Sequence, residues 1–195
     1  MTRSAEIVRK TAETNISLSI NIDGTGQSQI STGIGFFDHM LTLLAKHGLF
    51  DLTVDAKGDI FVDGHHTVED TGIVLGQALA QALKDKGGIK RYGTAFVPMD
   101  EALAMVSLDI SGRPFLVFEG DFSVQQIGTY DSQLTEEFLR AFAVHGGITL
   151  HVRLLSGKNA HHMVEAIFKG LGRALDEATR VDQRIVGVMS TKGML

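Results

Sequence analysis

From Ile16 to Ile22 the chain alternates apolar and polar side chains, reading Ile-Ser-Leu-Ser-Ile-Asn-Ile. A period of two predicts a strand with one buried face. It stops at Asp23-Gly24-Thr25-Gly26, a turn composition. Beyond the turn the period changes. Phe37, Met40, Leu41 and Leu44 recur at helical spacing and predict a helix over Phe37–Leu49, with Asp38 as its N-cap. A short strand at Leu52-Thr53-Val54, a loop containing Gly58 and a helix over His65–Lys84 follow.

The same succession then returns. Ala104–Ile110 alternates again and stops at Ser111-Gly112, and setting Gly24 on Gly112 also places Glu13 on Glu101. Leu134–Val144 carries Phe138, Leu139 and Phe142 on one helical face. A strand at Leu150-His151-Val152, a loop with Gly157 and a helix over Ala160–Thr179 complete the second pass. The expected fold class is therefore α+β, a tandem duplication of a strand-helix-strand-helix half with helices packed on one face of each sheet. The halves are 1–90 and 91–195. They form a single compact unit, and the boundary near Lys90 marks a repeat rather than a flexible linker.

The duplication carries chemistry. His65-His66-Thr67-Val68-Glu69 recurs 96 positions later as His161-His162-Met163-Val164-Glu165, and His65–Leu79 matches His161–Leu175 at eight of fifteen positions. Imidazole with carboxylate is a ligand set for a first-row divalent metal. On a helix, Glu69 lies three and four residues from the two histidines and shares a face with either. The adjacent histidines diverge by about 100°, so they cannot easily serve one ion. Two diverging imidazoles point to two metal sites, each completed by the other repeat or by another chain. His39 precedes His65 by 26 residues, and its counterpart in the second half falls near Glu137. The candidate metal ligands are thus His39, His65, His66, Glu69, Glu137, His161, His162 and Glu165. A single His-His pair is usually a surface feature; two copies in register, each with Glu at the same offset, are not.

Composition narrows the options. The 195 residues are 44% hydrophobic and 21% charged, with a formal net charge of −5. That is an ordinary globular composition with no electrostatic case for nucleic acid or an anionic membrane. Without cysteine, any metal is held by nitrogen and oxygen, which favours manganese, iron or zinc over calcium. No apolar run resembles a secretory signal or reaches membrane-spanning length, and a cytoplasmic protein is expected. His145 and His151 read as structural or exposed. Asn21-Ile22-Asp23-Gly24-Thr25 resembles a phosphatase nucleophile motif but has Asn21 where the nucleophilic Asp belongs. Arg91, Arg113, Lys169, Arg173 and Lys192 stand near turns or beside the ligand motifs, and Ser190-Thr191-Lys192-Gly193 combines hydroxyls, amides and a cation as a phosphate site does. Each alone reads as a solvated charge; around a metal centre the set suggests an anionic substrate.

Six ordered motifs resemble one family, imidazoleglycerol-phosphate dehydratase of histidine biosynthesis, in its monofunctional form. They are Phe37-Asp38-His39-Met40-Leu41, Asp63–Asp70, Pro98–Leu103, Asp109–Pro114, His161–Lys169 and Ser190–Gly193. The resemblance runs from Ala12-Glu13-Thr14 to the end of the chain. It implies a manganese-dependent hydro-lyase acting on D-erythro-imidazoleglycerol phosphate to give imidazole acetol phosphate. It also implies two manganese ions per active site and a homo-oligomer of 24 subunits with sites between subunits. Ligand roles carry over to His39, His65, His66, Glu69, His161, His162 and Glu165. At the eighth position many members have histidine, and here Glu137 stands. Substrate contacts carry over to Glu13, His39, His47, His65, Glu69, Arg91, Arg113, His161, Lys169, Ser190, Thr191 and Lys192. Glu13 is the candidate acid–base group, with Glu165 as a second catalytic carboxylate. Two other readings use the same residues: a dinuclear phosphoester hydrolase, which would release phosphate, and a metal-storage or metal-assembled protein without turnover.

Overall fold

The computed structural model describes residues 3–195. Two four-stranded sheets of identical construction enclose four helices. In the first half, β1 (Ser4–Lys10), β2 (Thr14–Asn21), β3 (Ser28–Ser31) and β4 (Asp51–Gly58) form a sheet of order β1-β2-β4-β3, with α1 (Gly35–Gly48) and α2 (His65–Leu83). In the second half, β5 (Tyr92–Met99), β6 (Ala102–Asp109), β7 (Phe115–Glu119) and β10 (Thr149–Ser156) form a sheet of order β5-β6-β10-β7, with α3 (Leu134–Gly146) and α4 (Ala160–Thr179). A small hairpin, β8 (Gln126–Ile127) and β9 (Tyr130–Asp131), is inserted before α3. In both sheets three strands are antiparallel and the fourth, β3 or β7, joins parallel to its neighbour.

The predicted α+β duplication is the observed fold, and each half is richer than its pattern. The strands β1, β3, β5 and β7 were not anticipated. The first three alternate between exposed or half-buried and more buried positions, but β1 and β3 carry few strongly apolar residues and β5 carries apolar residues on both faces, so their period is hard to see. α1 begins earlier than expected, and Asp38 is not its N-cap. Ile34 holds that position, and Asp38 sits inside the first turn. Its carboxylate accepts from the Thr32 backbone N–H at 2.8 Å and from the Thr32 hydroxyl at 2.5 Å, closing the loop before the helix.

The helices of one half pack on those of the other, α2 against α3 and α1 against α4. Glycine makes this possible. A Cβ on Gly76 would lie 2.7 Å from the Phe142 carbonyl oxygen and 2.8 Å from the Gly146 nitrogen; a Cβ on Gly172 would lie 2.5 Å from the Leu44 oxygen and 2.9 Å from the Gly48 nitrogen. The two contacts are related by the repeat. A single hydrophobic cluster, from Ile16 and Phe37 to Phe168 and Ala178, runs through both halves. Among the described residues no helix is long and apolar enough to cross a membrane.

Candidate functional site

The cross-half packing brings ligand residues together that are far apart in sequence. α1 carries His39 and α4 carries His161 and Glu165. Oε1 of Glu165 lies 3.0 Å from Nε2 of His39 and 3.0 Å from Nε2 of His161. All three donor atoms fall within 4.8 Å of one another, and among the described residues this is the one cluster of three. Phe36 packs edge-on against the His161 ring at 5.0 Å between centroids and restrains it. On the other side of the carboxylate, Lys169 Nζ lies 2.6 Å from Oε2. Burial pushes the Glu165 pKa up, but hydrogen bonds from Lys169, His39 and His161 outweigh it and hold the group at about 2. An ionised carboxylate flanked by two imidazole nitrogens fits a divalent cation in both charge and donor type.

The repeat-related residues make a looser arrangement. His65 Nε2 is 3.5 Å from Glu69 Oε2. His65 and Glu137 line the same open concavity of about 620 Å³, while the nearest basic partner of Glu137 is Arg140 at 3.9 Å. No tight trio forms there among the described residues.

The adjacent histidines do diverge. The planes of His65 and His66 stand at 85° with centroids 6.1 Å apart, and those of His161 and His162 at 84° and 6.2 Å. Each outward imidazole is held at Nδ1 by a carboxylate. Asp59 approaches His66 at 3.0 Å and Glu101 approaches His162 at 2.8 Å. An Nδ1 proton given to the carboxylate would leave the Nε2 lone pair turned outward, the arrangement that prepares an imidazole for metal. Neither Asp59 nor Glu101 was singled out as functional from sequence. Glu101 could have been found as the repeat partner of Glu13, whereas Asp59, seven residues before His66, lies outside the motif. Glu101 also accepts from the Lys158 and Asn159 amides at 3.0 and 2.8 Å, and the His162 hydrogen bond above all, with these amides, lowers its pKa to about 2. Glu13 differs. Among the described residues its one close basic partner is the His66 ring at 3.7 Å, and its side chain is 54% exposed.

The predicted anion-binding residues fall into separate concavities. Arg91, Arg113, Ser190, Thr191 and Lys192 line one of about 550 Å³. Arg91 is buried and adopts φ +74°. Its guanidinium donates to both Asp109 oxygens at 2.6 and 2.9 Å and to the Met189 carbonyl at 2.7 Å, fixing the C-terminal segment beside it. His47 lines another concavity with Lys46, Arg173 and Arg180. Burial, then the nearby Lys169 and Arg173 charges, lower its pKa, so its ring is kept neutral. His145 is exposed, as expected, and His151 lies on the outer face of β10.

Fold and cluster together define a class: a duplicated α+β protein whose halves meet in a carboxylate–imidazole cluster fit for a divalent cation. The family described as imidazoleglycerol-phosphate dehydratase matches residues 32–175. An imidazoleglycerol-phosphate dehydratase of Acetivibrio thermocellus is 65% identical over the full length of both chains. The crystal structure of the Staphylococcus aureus imidazoleglycerol-phosphate dehydratase superposes with a TM-score of 0.84 at 44% identity, covering 92% of this chain and 99% of that one. A structure from Pyrococcus furiosus gives the same TM-score at 39% identity, covering 97% and 100%. The chain belongs to the imidazoleglycerol-phosphate dehydratase family, hydro-lyases of histidine biosynthesis.

Proposed function

We propose that this chain carries out manganese-dependent dehydration of D-erythro-imidazoleglycerol phosphate to imidazole acetol phosphate in the cytoplasm. The observation that carries the metal dependence is the meeting of His39, His161 and Glu165 across the two halves, with one carboxylate oxygen 3.0 Å from both imidazoles. In this reading His39, His161 and Glu165 form one inward ligand set, and Glu137, His65 and Glu69 form its repeat-related counterpart. The outward-turned His66 and His162 complete the sites of neighbouring copies, in an assembly of 24 subunits with two manganese ions per site.

When bound, the ions supply Lewis acidity to the imidazole ring of the substrate, which lacks a carbonyl beside the carbon that loses its proton. The chain's own residues do the rest. Glu13, exposed and with no strong partner among the described residues, moves the proton at that carbon. Glu165, held ionised by Lys169, stays an acceptor throughout. The separation of anion-binding residues into distinct concavities supports a site shared between copies. Arg91, Arg113, Ser190, Thr191 and Lys192 of one copy hold the phosphate against His47 and Lys169 of another, and this remote binding orients the reacting carbons.

The test is turnover of imidazoleglycerol phosphate by chelator-stripped protein before and after manganese, scoring ketone product and free phosphate together. Manganese-dependent ketone without phosphate is the expected result. Phosphate release would move the reading to a hydrolase, and metal binding without product to a storage or structural protein.

A further inference from the structure

The repeat offers an internal comparison for the turn that carries Glu13. In the second half, the equivalent Glu101 is fixed through its own carboxylate, by the Lys158 and Asn159 amides and by His162. A carboxylate so occupied cannot exchange a proton readily. The carboxylate of Glu13 is left open, so the turn needs another anchor.

That anchor is a chain of hydrogen bonds ending on Asp70. Asp70 lies on α2, next to Glu69, and is buried. Its Oδ1 accepts from Arg9 Nε at 3.0 Å, and its Oδ2 accepts from the hydroxyl of buried Thr14. Since Thr14 spends its proton on Asp70, its oxygen accepts from the Thr11 hydroxyl at 3.2 Å. The Thr11 oxygen in turn accepts from the backbone amides of Glu13 at 3.1 Å and Thr14 at 2.9 Å. Every donor and acceptor along this path has one consistent role, and its direction is set by an acceptor-only group at Asp70. The second half has none of it: Ala166 stands at the position of Asp70. A buried carboxylate is seldom kept for stability alone, because desolvation opposes it and an apolar residue packs at least as well.

We propose that Asp70 is a positioning residue for Glu13, holding its backbone through Thr14 and Thr11 while leaving its carboxylate free for the proton. The proposal rests on the reading of Glu13 as the acid–base group. In Asp70→Asn one of the two acceptors becomes an N–H donor: facing Arg9 it loses that bond, and facing Thr14 it turns the Thr14 proton onto the Thr11 oxygen, which already accepts from the Glu13 and Thr14 amides. Thr14→Val keeps the shape and cuts the path between Asp70 and Thr11.

The decisive experiment is a double-mutant cycle on manganese-loaded enzyme. Asp70→Asn should lower kcat by roughly 10- to 100-fold, the scale of a misplaced catalytic group, with KM within about threefold and manganese content unchanged. In the Glu13→Gln background it should cost no more than about twofold, because there is no longer a carboxylate to position. Equal losses in both backgrounds, or loss of manganese, would overturn the proposal. If Asp70→Asn does not fold, Thr14→Val is read in the same cycle with the same two outcomes. Amide exchange at Glu13 and Thr14 gives a check independent of activity: faster exchange in the variants supports the anchor, and unchanged exchange removes it. Full turnover by Glu13→Gln alone would instead sink the reading of Glu13, a distinct result.

Discussion

His39 and Glu165 belong to different halves of the chain, yet their side chains meet at 3.0 Å. The contact exists because α1 and α4 pack across the repeat. Glu165 also pairs with Lys169, whose side chain is only 15% exposed. Glu165→Gln should therefore do two things. It should weaken manganese binding at this site by at least about tenfold, and it should leave a half-buried ammonium without its counter-ion, destabilising the metal-free protein. Isothermal titration with manganese and thermal melting of stripped protein would read the two effects separately. Unchanged affinity would remove Glu165 from the ligand set.

Glu13 and Glu101 are repeat partners with different surroundings, and their variants should part ways. Glu13→Gln is expected to bind manganese normally and lose turnover by about 100-fold or more, the typical worth of a positioned acid–base group. Glu101→Gln keeps one acceptor oxygen for groups that now use two, so it can hold the Lys158–Asn159 amides or His162 but not both, and its first effect should be on metal content. Metal analysis alongside steady-state kinetics distinguishes them; the same defect in both would mean that the two halves are used alike.

The duplication was legible in the sequence. Two copies of His-His-x-x-Glu, with Glu13 set on Glu101, pointed to the duplicated α+β fold, and helical spacing alone made the adjacent imidazoles diverge. What spacing could not give was the pairing of α1 with α4 rather than with its own neighbour α2, which places His39 on Glu165. That pairing depends on Gly48 and Gly172 allowing a close backbone approach, and a glycine in a helical pattern does not announce its partner. The carboxylates of Asp59 and Asp70 were missed for a related reason. Their roles come from long-range contacts, with His66 across a loop and with Thr14 across 56 residues.

The N-terminal strand is tied down by an ion pair with a predictable acid response. Arg3 Nε donates to both oxygens of Asp23, and Arg3 Nη1 donates to the Thr179 carbonyl at the end of α4. The Arg3 hydrogen bond outweighs the opposing effect of burial and lowers the Asp23 pKa in the folded state. A lowered folded value means that the pair's stability is present above the unfolded carboxylate pKa and is lost as pH falls through the folded one. Asp23→Asn should thus be less stable than the parent by no more than about 1 kcal/mol near neutrality, with the difference vanishing at low pH. Urea denaturation across pH checks this, and a constant difference would contradict it.

The tightest test of the architecture is at Gly172. A methyl group there would sit 2.5 Å from the Leu44 carbonyl oxygen and 2.9 Å from the Gly48 nitrogen. Both are backbone atoms of α1, so no side chain can rotate away and the helices must separate. Removing a helical glycine normally stabilises by up to about 1 kcal/mol, but overpacking at a closed contact costs about 1–3 kcal/mol. The steric cost should win, because the intruding atom meets a second helix rather than a flexible group. Gly172→Ala should lower Tm by several degrees. Since α1 carries His39 and α4 carries Glu165, the same separation should reduce manganese affinity at a site more than one helical turn away. Gly76→Ala, at the repeat-related contact between α2 and α3, should destabilise similarly and leave the His39 site's affinity largely intact. Melting curves and manganese titration of both variants decide the matter: a stable Gly172→Ala protein with normal affinity would show that the cross-half contact does not set the site.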